Sequence, residues 1–243
     1  MSNQTPPLYA PENQTSLVKG IFSNIADKYD FLNHFLSFGQ DIIWRKRAVQ
    51  SMQFIKTNRC LDVATGTGDI ALTIAKHYPA VNVVGIDFSE AMIDIAEKKV
   101  TKHNRKDTVI FQWGDAMKIN FPDNTFDVAI IAFGIRNIPD KVKALSEMTR
   151  VVIPGGQVMV LEMVSQQNRF FKKIYQYYLC YGLPFLASLF SSNKKAYHYL
   201  SSSIIHFPSI SDFCEMMEKS GLRMENTISM TFSITRLFIG IKP

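Results

Sequence analysis

Apolar positions at Ile21, Ile25, Tyr29 and Leu32 recur every three or four residues, which predicts a helical segment over residues 16–56. The pattern then changes. "RCLDVA" is a short apolar run closing on a glycine turn, as a buried strand does. "DIALTIAKHY" predicts a helix, "VNVVGID" a second strand, and "SEAMIDIAEKKVTKH" a second helix with Ser89 as its N-cap. "TVIFQWGDA" and "FDVAIIAFG" predict strands three and four, "KVKALSEMTRVV" a helix, and "PGGQVMVLEMV" a fifth strand starting at a tight Pro-Gly-Gly turn. "SISDFCEMMEKSGL" predicts a helix stopped by Gly221, and "RMENTISM" and "FSITRLFIGIKP" two closing strands. Alternation of this kind implies right-handed crossovers and a largely parallel sheet covered by helices on both faces.

A chain of 243 residues fits one such domain, 1–243, with 1–15 as a polar, proline-bearing arm and 16–56 as a helical lid. Residues 165–206 break the rhythm and are expected to form a helical insert before the last helix-strand-strand. The formal charge of +6 suits an anionic surface or nucleic acid, and no nucleic-acid-binding motif accompanies it. Three scattered cysteines, Cys60, Cys180 and Cys214, fit a reducing compartment and argue against a structural metal. No run is long and apolar enough to predict a spanning helix.

The turn "LDVATGTGDI" carries the chemistry. Gly66, Gly68 and Ala71, with Asp87 about twenty residues on, match a dinucleotide-binding pattern. Asp62 tips the balance, because a carboxylate beside a pyrophosphate is repelled in a cleft where water screens poorly. S-adenosylmethionine has no phosphate and carries an ammonium and a sulfonium, which an acid suits. Asp87 can accept from ribose hydroxyls of either cofactor. Asp115, beside Ala116 after the third strand, can accept from an adenine amino group. Three acids closing three successive strands favour adenosylmethionine. A dinucleotide-dependent oxidoreductase and a non-enzymatic cofactor-binding scaffold stay open as alternatives.

The sequence resembles the class I adenosylmethionine-dependent methyltransferases, Rossmann-like α/β proteins with a mostly parallel seven-stranded sheet. More narrowly it resembles the UbiE/MenG family of ubiquinone and menaquinone biosynthesis C-methyltransferases. The stretches that carry the likeness are "YDFLNHFLSFGQDIIWRKR" (29–47) and "FGIRNIPDKVKALSEMTRVVIPGGQVMVLE" (133–162). It departs from the family pattern at Asp41, where histidine is usual, and at Ala132, Ile153 and Val164. The resemblance implies Thr67, Asp87, Asp115 and Ala116 as cofactor contacts, and a demethylated polyprenyl quinol as methyl acceptor. Other lipid or phenolic acceptors remain open.

For catalysis, Arg136 after the fourth strand is expected at the crevice mouth, where its permanent charge would favour a phenolate, with a strand-end salt bridge as the alternative. Tyr29, Asp30 and Asn33 in the lid are expected to hold a quinol oxygen or the lid itself. His34 is expected to pack rather than act as a base, and Glu162 to do no more than contact the fifth strand's end. No acid occurs between Glu162 and Asp212, and Arg169, Lys172, Lys173, Lys194 and Lys195 flank an aromatic stretch. That composition fits peripheral contact with the anionic cytoplasmic face of a membrane, a lid over a prenyl chain, or an ordinary core insert. A homo-oligomer or biosynthetic complex is a further expectation.

Overall fold

A computed structural model of the chain describes residues 20, 30–164, 175, 177–182 and 194–243. Seven strands form one sheet in the order β3-β2-β1-β4-β5-β7-β6. They are β1 (Arg59–Val63), β2 (Asn82–Asp87), β3 (Val109–Trp113), β4 (Phe126–Ala132), β5 (Val152–Met163), β6 (Arg223–Met230) and β7 (Thr235–Ile241). The first five pair in parallel, and β7 runs antiparallel to both β5 and β6. Strand order reverses between β1 and β4, which opens a crevice outside their carboxyl ends.

The helices are α1 (30–36), α2 (Gln40–Gln50), α3 (Asp69–His77), α4 (Glu90–Lys102), α5 (Lys141–Val151), α6 (Lys194–Ile205) and α7 (Ile210–Lys219). Successive strand residues point to opposite faces, and both faces are buried. Leu61, Val84, Ala129 and Val160 pack with α5 and α7 through Leu145, Met148, Phe213 and Met217. Cys60, Val83, Ile130 and Met159 pack with α2, α3 and α4 through Val49, Ile74 and Val100. Burial on both sides is why the strands read as unbroken apolar runs rather than alternating ones.

Three details bear on the site. Gly68, the N-cap of α3, has φ +83, and a Cβ there would lie 2.6 Å from Phe111 Cζ. The same ring lies over Gly85, where an added Cβ would meet Phe111 Cε1 at 2.6 Å. One aromatic thus closes down on two glycines of neighbouring elements. Buried Asp127 accepts from the backbone N–H groups of Lys56 (2.8 Å) and Thr57 (2.9 Å) and from the Thr57 hydroxyl (2.6 Å), tying down the chain before β1. Burial alone would raise its pKa, but these donors outweigh it and hold the carboxyl below its ordinary value.

The sequence reading needs adjusting at the N-terminal side. Residues 16–56 are not one continuous helix: Phe38 and Gly39 take left-handed backbone angles (φ 53 and 73) and separate α1 from α2, and residues 51–58 are irregular. The start of β5 also lies before the Pro-Gly-Gly turn, at Val152. Ser89 occupies the N-cap position of α4, but its side chain makes no capping bond. The 1–15 arm, Tyr29, and Arg169, Lys172 and Lys173 lie outside the described residues. So do the side chains of Lys194 and Lys195. Within 165–206 the described parts are a buried Tyr175, a π-helical turn Tyr178–Gly182 and α6. No helix among the described residues is long and apolar enough to cross a membrane.

Candidate active site

The crevice holds a cleft of about 320 Å³ lined by residues that follow β1 to β4. Ala64 after β1 and Phe133 after β4 have φ of 51 and 57, unusual for residues bearing a Cβ. Both line the cleft, and Phe133 packs against Trp44 of α2 at 6.0 Å between ring centroids.

Asp87 ends β2 and lines the cleft. One carboxylate oxygen accepts from the Gly66 N–H (2.8 Å) and the other from the Ser89 N–H (2.9 Å). A carboxylate offers about four acceptor positions, so these backbone bonds leave capacity for a hydroxyl donor. Burial raises its pKa against those backbone bonds. Asp115 lines the same wall and accepts from the Met117 N–H at 2.8 Å, which fixes the turn carrying Ala116. Phe88, Met92, Trp113 and Ile138 supply apolar surface. Among the described residues no lysine or arginine lines this cleft, whereas two carboxylates do. Such a wall repels pyrophosphate and suits a neutral adenosine joined to a cationic end.

Gly66, Asp87, Asp115 and Ala116 therefore come together as the residue types suggested. Asp62, Thr67 and Gly68 do not line the cleft. Asp62 is 1% exposed beneath the glycine turn, where it accepts from the Thr65 hydroxyl at 2.5 Å. Burial, more than any other cause, lifts its pKa to about 7. Gly68 serves packing under Phe111. The Thr67 hydroxyl donates to Asp30 at 2.5 Å and receives the Lys99 ammonium at 3.1 Å.

That contact belongs to a chain of charges invisible in the local sequence. Lys99 of α4 bridges Asp30 of α1 (2.5 Å) and Asp69 of α3 (2.6 Å). Arg45 of α2 lies 3.6 Å from Asp69 and pairs closely with Asp41, which also receives His34 at 2.7 Å. Asp30 thus has both oxygens engaged, one with Thr67 of the glycine turn and the other with Lys99 of α4. Asp41, the departure from the family pattern, is a buried bridge between α1 and α2. Asn33, partly buried, lies one helical turn from Asp30.

Arg136 requires a correction. It sits in the 3-10 turn Ile135–Asn137, is 8% exposed rather than placed at the mouth, and pairs closely with Glu162, itself fully buried at the end of β5. An arginine withdrawn from water needs a carboxylate, and Glu162 provides it. The carboxylate also accepts from the Met163 N–H at 2.9 Å. Neighbouring Asn137 lines the cleft and accepts from the Tyr199 hydroxyl at 3.1 Å. Tyr175 is buried near this pair, and its hydroxyl has no hydrogen-bond partner among the described residues. Lys99, Glu162, Tyr175 and Tyr199 were not singled out as site residues by sequence. Only Glu162, a lone acid ending an apolar strand, carried a signal.

The family model for the ubiE/COQ5 methyltransferase family matches residues 10–242. The chain belongs to this family. A ubiquinone/menaquinone biosynthesis C-methyltransferase UbiE of Geobacter sulfurreducens is 42% identical over 97% of this chain and 92% of the relative. A demethylmenaquinone methyltransferase of Thermus thermophilus is 41% identical, covering 92% of this chain and all of its own. Among solved structures, the [4+2]-cyclase SpnF superposes with a TM-score of 0.69 at 16% identity, over 93% of this chain and 95% of that one. Phosphoethanolamine N-methyltransferase 2 of Haemonchus contortus, solved with S-adenosyl-L-methionine, gives 0.64 at 19% identity, over 91% and 60%. These two likenesses concern the fold. The family membership makes this chain an adenosylmethionine-dependent methyltransferase, and the acidic wall of the cleft suits that cofactor.

Proposed function

We propose that the chain methylates a ring carbon of a demethylated polyprenyl quinol, a demethylnaphthoquinol or the related benzoquinol, in quinone biosynthesis. The observation that carries this reading is the juxtaposition of the acid-walled cleft with the buried Arg136–Glu162 pair, flanked by Asn137. When bound, S-adenosylmethionine supplies a methyl group on a positive sulfur. Asp87 would hold its ribose hydroxyls, Asp115 and Ala116 its adenine, and Gly66 the approach of the backbone.

The acceptor carbon lies beside a phenolic hydroxyl, and loss of that proton makes the carbon nucleophilic. Transfer of the methyl group to that carbon would break its bond to sulfur, leave S-adenosylhomocysteine and then require loss of the ring proton to restore the aromatic quinol; because an anion meets a cation, a dry site would favour the transfer. Arg136, neutralised by Glu162, would orient the acceptor oxygen as a hydrogen-bond donor more than as a net positive charge. The buried Tyr175 hydroxyl is placed near the same pair and would meet a second ring oxygen. Positioning of carbon, methyl and sulfur in line supplies much of the remaining gain. Because the acceptor is water-insoluble, the same reading assigns the protein peripheral contact with the cytoplasmic face of a membrane.

The test is methyl transfer by purified protein to demethylnaphthoquinol and benzoquinol acceptors with short tails. Mass spectrometry should find one added methyl on ring carbon. Transfer to oxygen, or to neither acceptor, refutes the proposal.

A further inference from the structure

Helix α6 carries a side chain that reaches the site from outside the cleft. Ile204 of α6 is fully buried, and with Leu200 and Ile205 it packs against Leu32 and Leu36 of α1 and Met163 at the end of β5. That packing fixes α6 and, with it, Tyr199, which is 7% exposed. The Tyr199 hydroxyl donates to Asn137 Oδ1 at 3.1 Å. Asn137 lines the cleft and Tyr199 does not.

That bond chooses between two arrangements of the asparagine. A side-chain amide presents an acceptor oxygen on one side and an NH2 donor on the other. With Oδ1 held by Tyr199, Nδ2 is the atom left for the cleft, and no hydrogen bond ties it among the described residues.

The cleft is short of such donors. Among its described lining residues, Trp113 and Asn137 alone carry a side-chain N–H, and Trp113 spends its own on the Phe88 carbonyl at 3.2 Å. Most of the remaining wall is apolar, and at Asp87 and Asp115 it is acidic. An oxygen gaining negative charge here is repelled by those carboxylates and met by one side-chain amide.

We propose that Tyr199 is a positioning residue. It holds the Asn137 amide with Nδ2 turned into the cleft, where it donates, alongside Arg136, to the ring oxygen beside the carbon that receives the methyl group. The orientation decides the chemistry. A donor stabilises the phenolate that makes the carbon nucleophilic. A flipped amide would present Oδ1, accept from the phenolic hydroxyl and keep its proton in place. This rests on the quinol reading above.

The test uses the full chain, a short-tailed demethylnaphthoquinol and the variants Tyr199→Phe, Asn137→Ala and Asn137→Asp, with thermal melts to verify folding. Tyr199→Phe keeps the ring and should lower kcat about five- to tenfold. The midpoint of the rising limb of its pH profile should move up by about half to one unit. Asn137→Asp keeps an oxygen for Tyr199 but offers no donor, and it should fall as far as Asn137→Ala, about a hundredfold. Once residue 137 is alanine there is no amide to orient, so adding Tyr199→Phe should cost less than about twofold more. Affinity for S-adenosylhomocysteine, read by calorimetry, should stay close to wild type in every variant. The proposal is overturned if Asn137→Asp turns over like wild type, if Tyr199→Phe moves neither kcat nor the pH profile, or if the two losses add. It is equally overturned if cofactor affinity falls as far as kcat, since Asn137 would then hold the cofactor. Failure of wild type to methylate the quinol refutes the functional reading, and a nuclear magnetic resonance titration with 1-naphthol then decides this one. The Asn137 side-chain N–H signals, identified by their loss in Asn137→Asp, should shift in wild type and not in Tyr199→Phe. No shift in wild type, or the same shift in both, overturns the proposal.

Discussion

Lys99 joins the N-terminal helix to the cofactor turn, and its removal offers a quantitative test. Its ammonium lies 2.5 Å from Asp30, 2.6 Å from Asp69 and 3.1 Å from the Thr67 hydroxyl. The three charged side chains are between 23% and 28% exposed, intermediate between a surface pair and a buried one. Exposed pairs contribute about 0–1 kcal/mol each, and loss of one partner of a buried pair costs about 3–5. Discounting for solvent, Lys99→Met, which keeps the apolar stem, should cost about 2 kcal/mol. If that energy holds Asp30 and Thr67 in the cofactor-binding arrangement, it corresponds to roughly thirtyfold in affinity. Titration calorimetry with S-adenosylhomocysteine measures it directly. Asp30→Asn should weaken binding in the wild-type background and add little in the Lys99→Met background, because the two residues act through one contact. A Lys99→Met protein that binds within twofold of wild type, or additive losses in the double variant, would refute the coupling.

Other outcomes follow from the site. Asp87→Ala should raise the dissociation constant for adenosylmethionine at least tenfold in a folded protein, since two charge-assisted bonds at about 1.5–3 kcal/mol each are lost; unchanged affinity would remove Asp87 from the site. Glu162→Gln leaves Arg136 charged and without its carboxylate, so the melting temperature should drop by roughly 6–20 °C for about 3–5 kcal/mol. Arg136→Lys should keep cofactor binding and slow methyl transfer, and a wild-type rate across the pH range would make the arginine purely structural. Asp62, with its carboxyl lifted to about 7, prefers its proton in the folded state. Its contribution to stability is present below about pH 4 and is lost as pH rises through about 7. A cationic ligand in the cleft above the turn favours the ionised form across that turn, so affinity for adenosylmethionine should rise with pH through that range. If calorimetry finds the same pH slope in Asp62→Asn, the charge argument fails.

The sheet and the acidic wall were legible because their signals are local. "VNVVGID" contains both a buried strand and the carboxylate that ends it, and the spacing from Gly66 to Asp87 follows from one crossover. Arg136 shows the limit. Its place after the fourth strand was readable, but its burial depends on Glu162, twenty-six residues away on an adjacent strand. Lys99 stands in an ordinary amphipathic helix, and nothing in "AEKKV" distinguishes it from its exposed neighbour Lys98. Only the folded chain brings Asp30 and Asp69 to it. Residues 16–56 were legible only in part. Of Ile21, Ile25, Tyr29 and Leu32, the first three lie outside the described residues and Leu32 is buried, whereas the inward Asp41–Arg45 pair beside exposed Ile42 and Ile43 depends on contacts with other elements.

The Phe111 ring over Gly68 and Gly85 has a consequence for how this sequence can change. A side chain at Gly85 demands that the ring move or shrink, and the same ring sets what Gly68 can become. Substitution at any of the three positions alters the penalty at the other two, so their histories are linked even though they lie on a turn and two strands. Phe111→Leu arriving first would widen the routes open to Gly85, whereas Gly85→Ala arriving first would meet the full clash. The order of events, and not only the final combination, then decides which descendants of this fold are reachable.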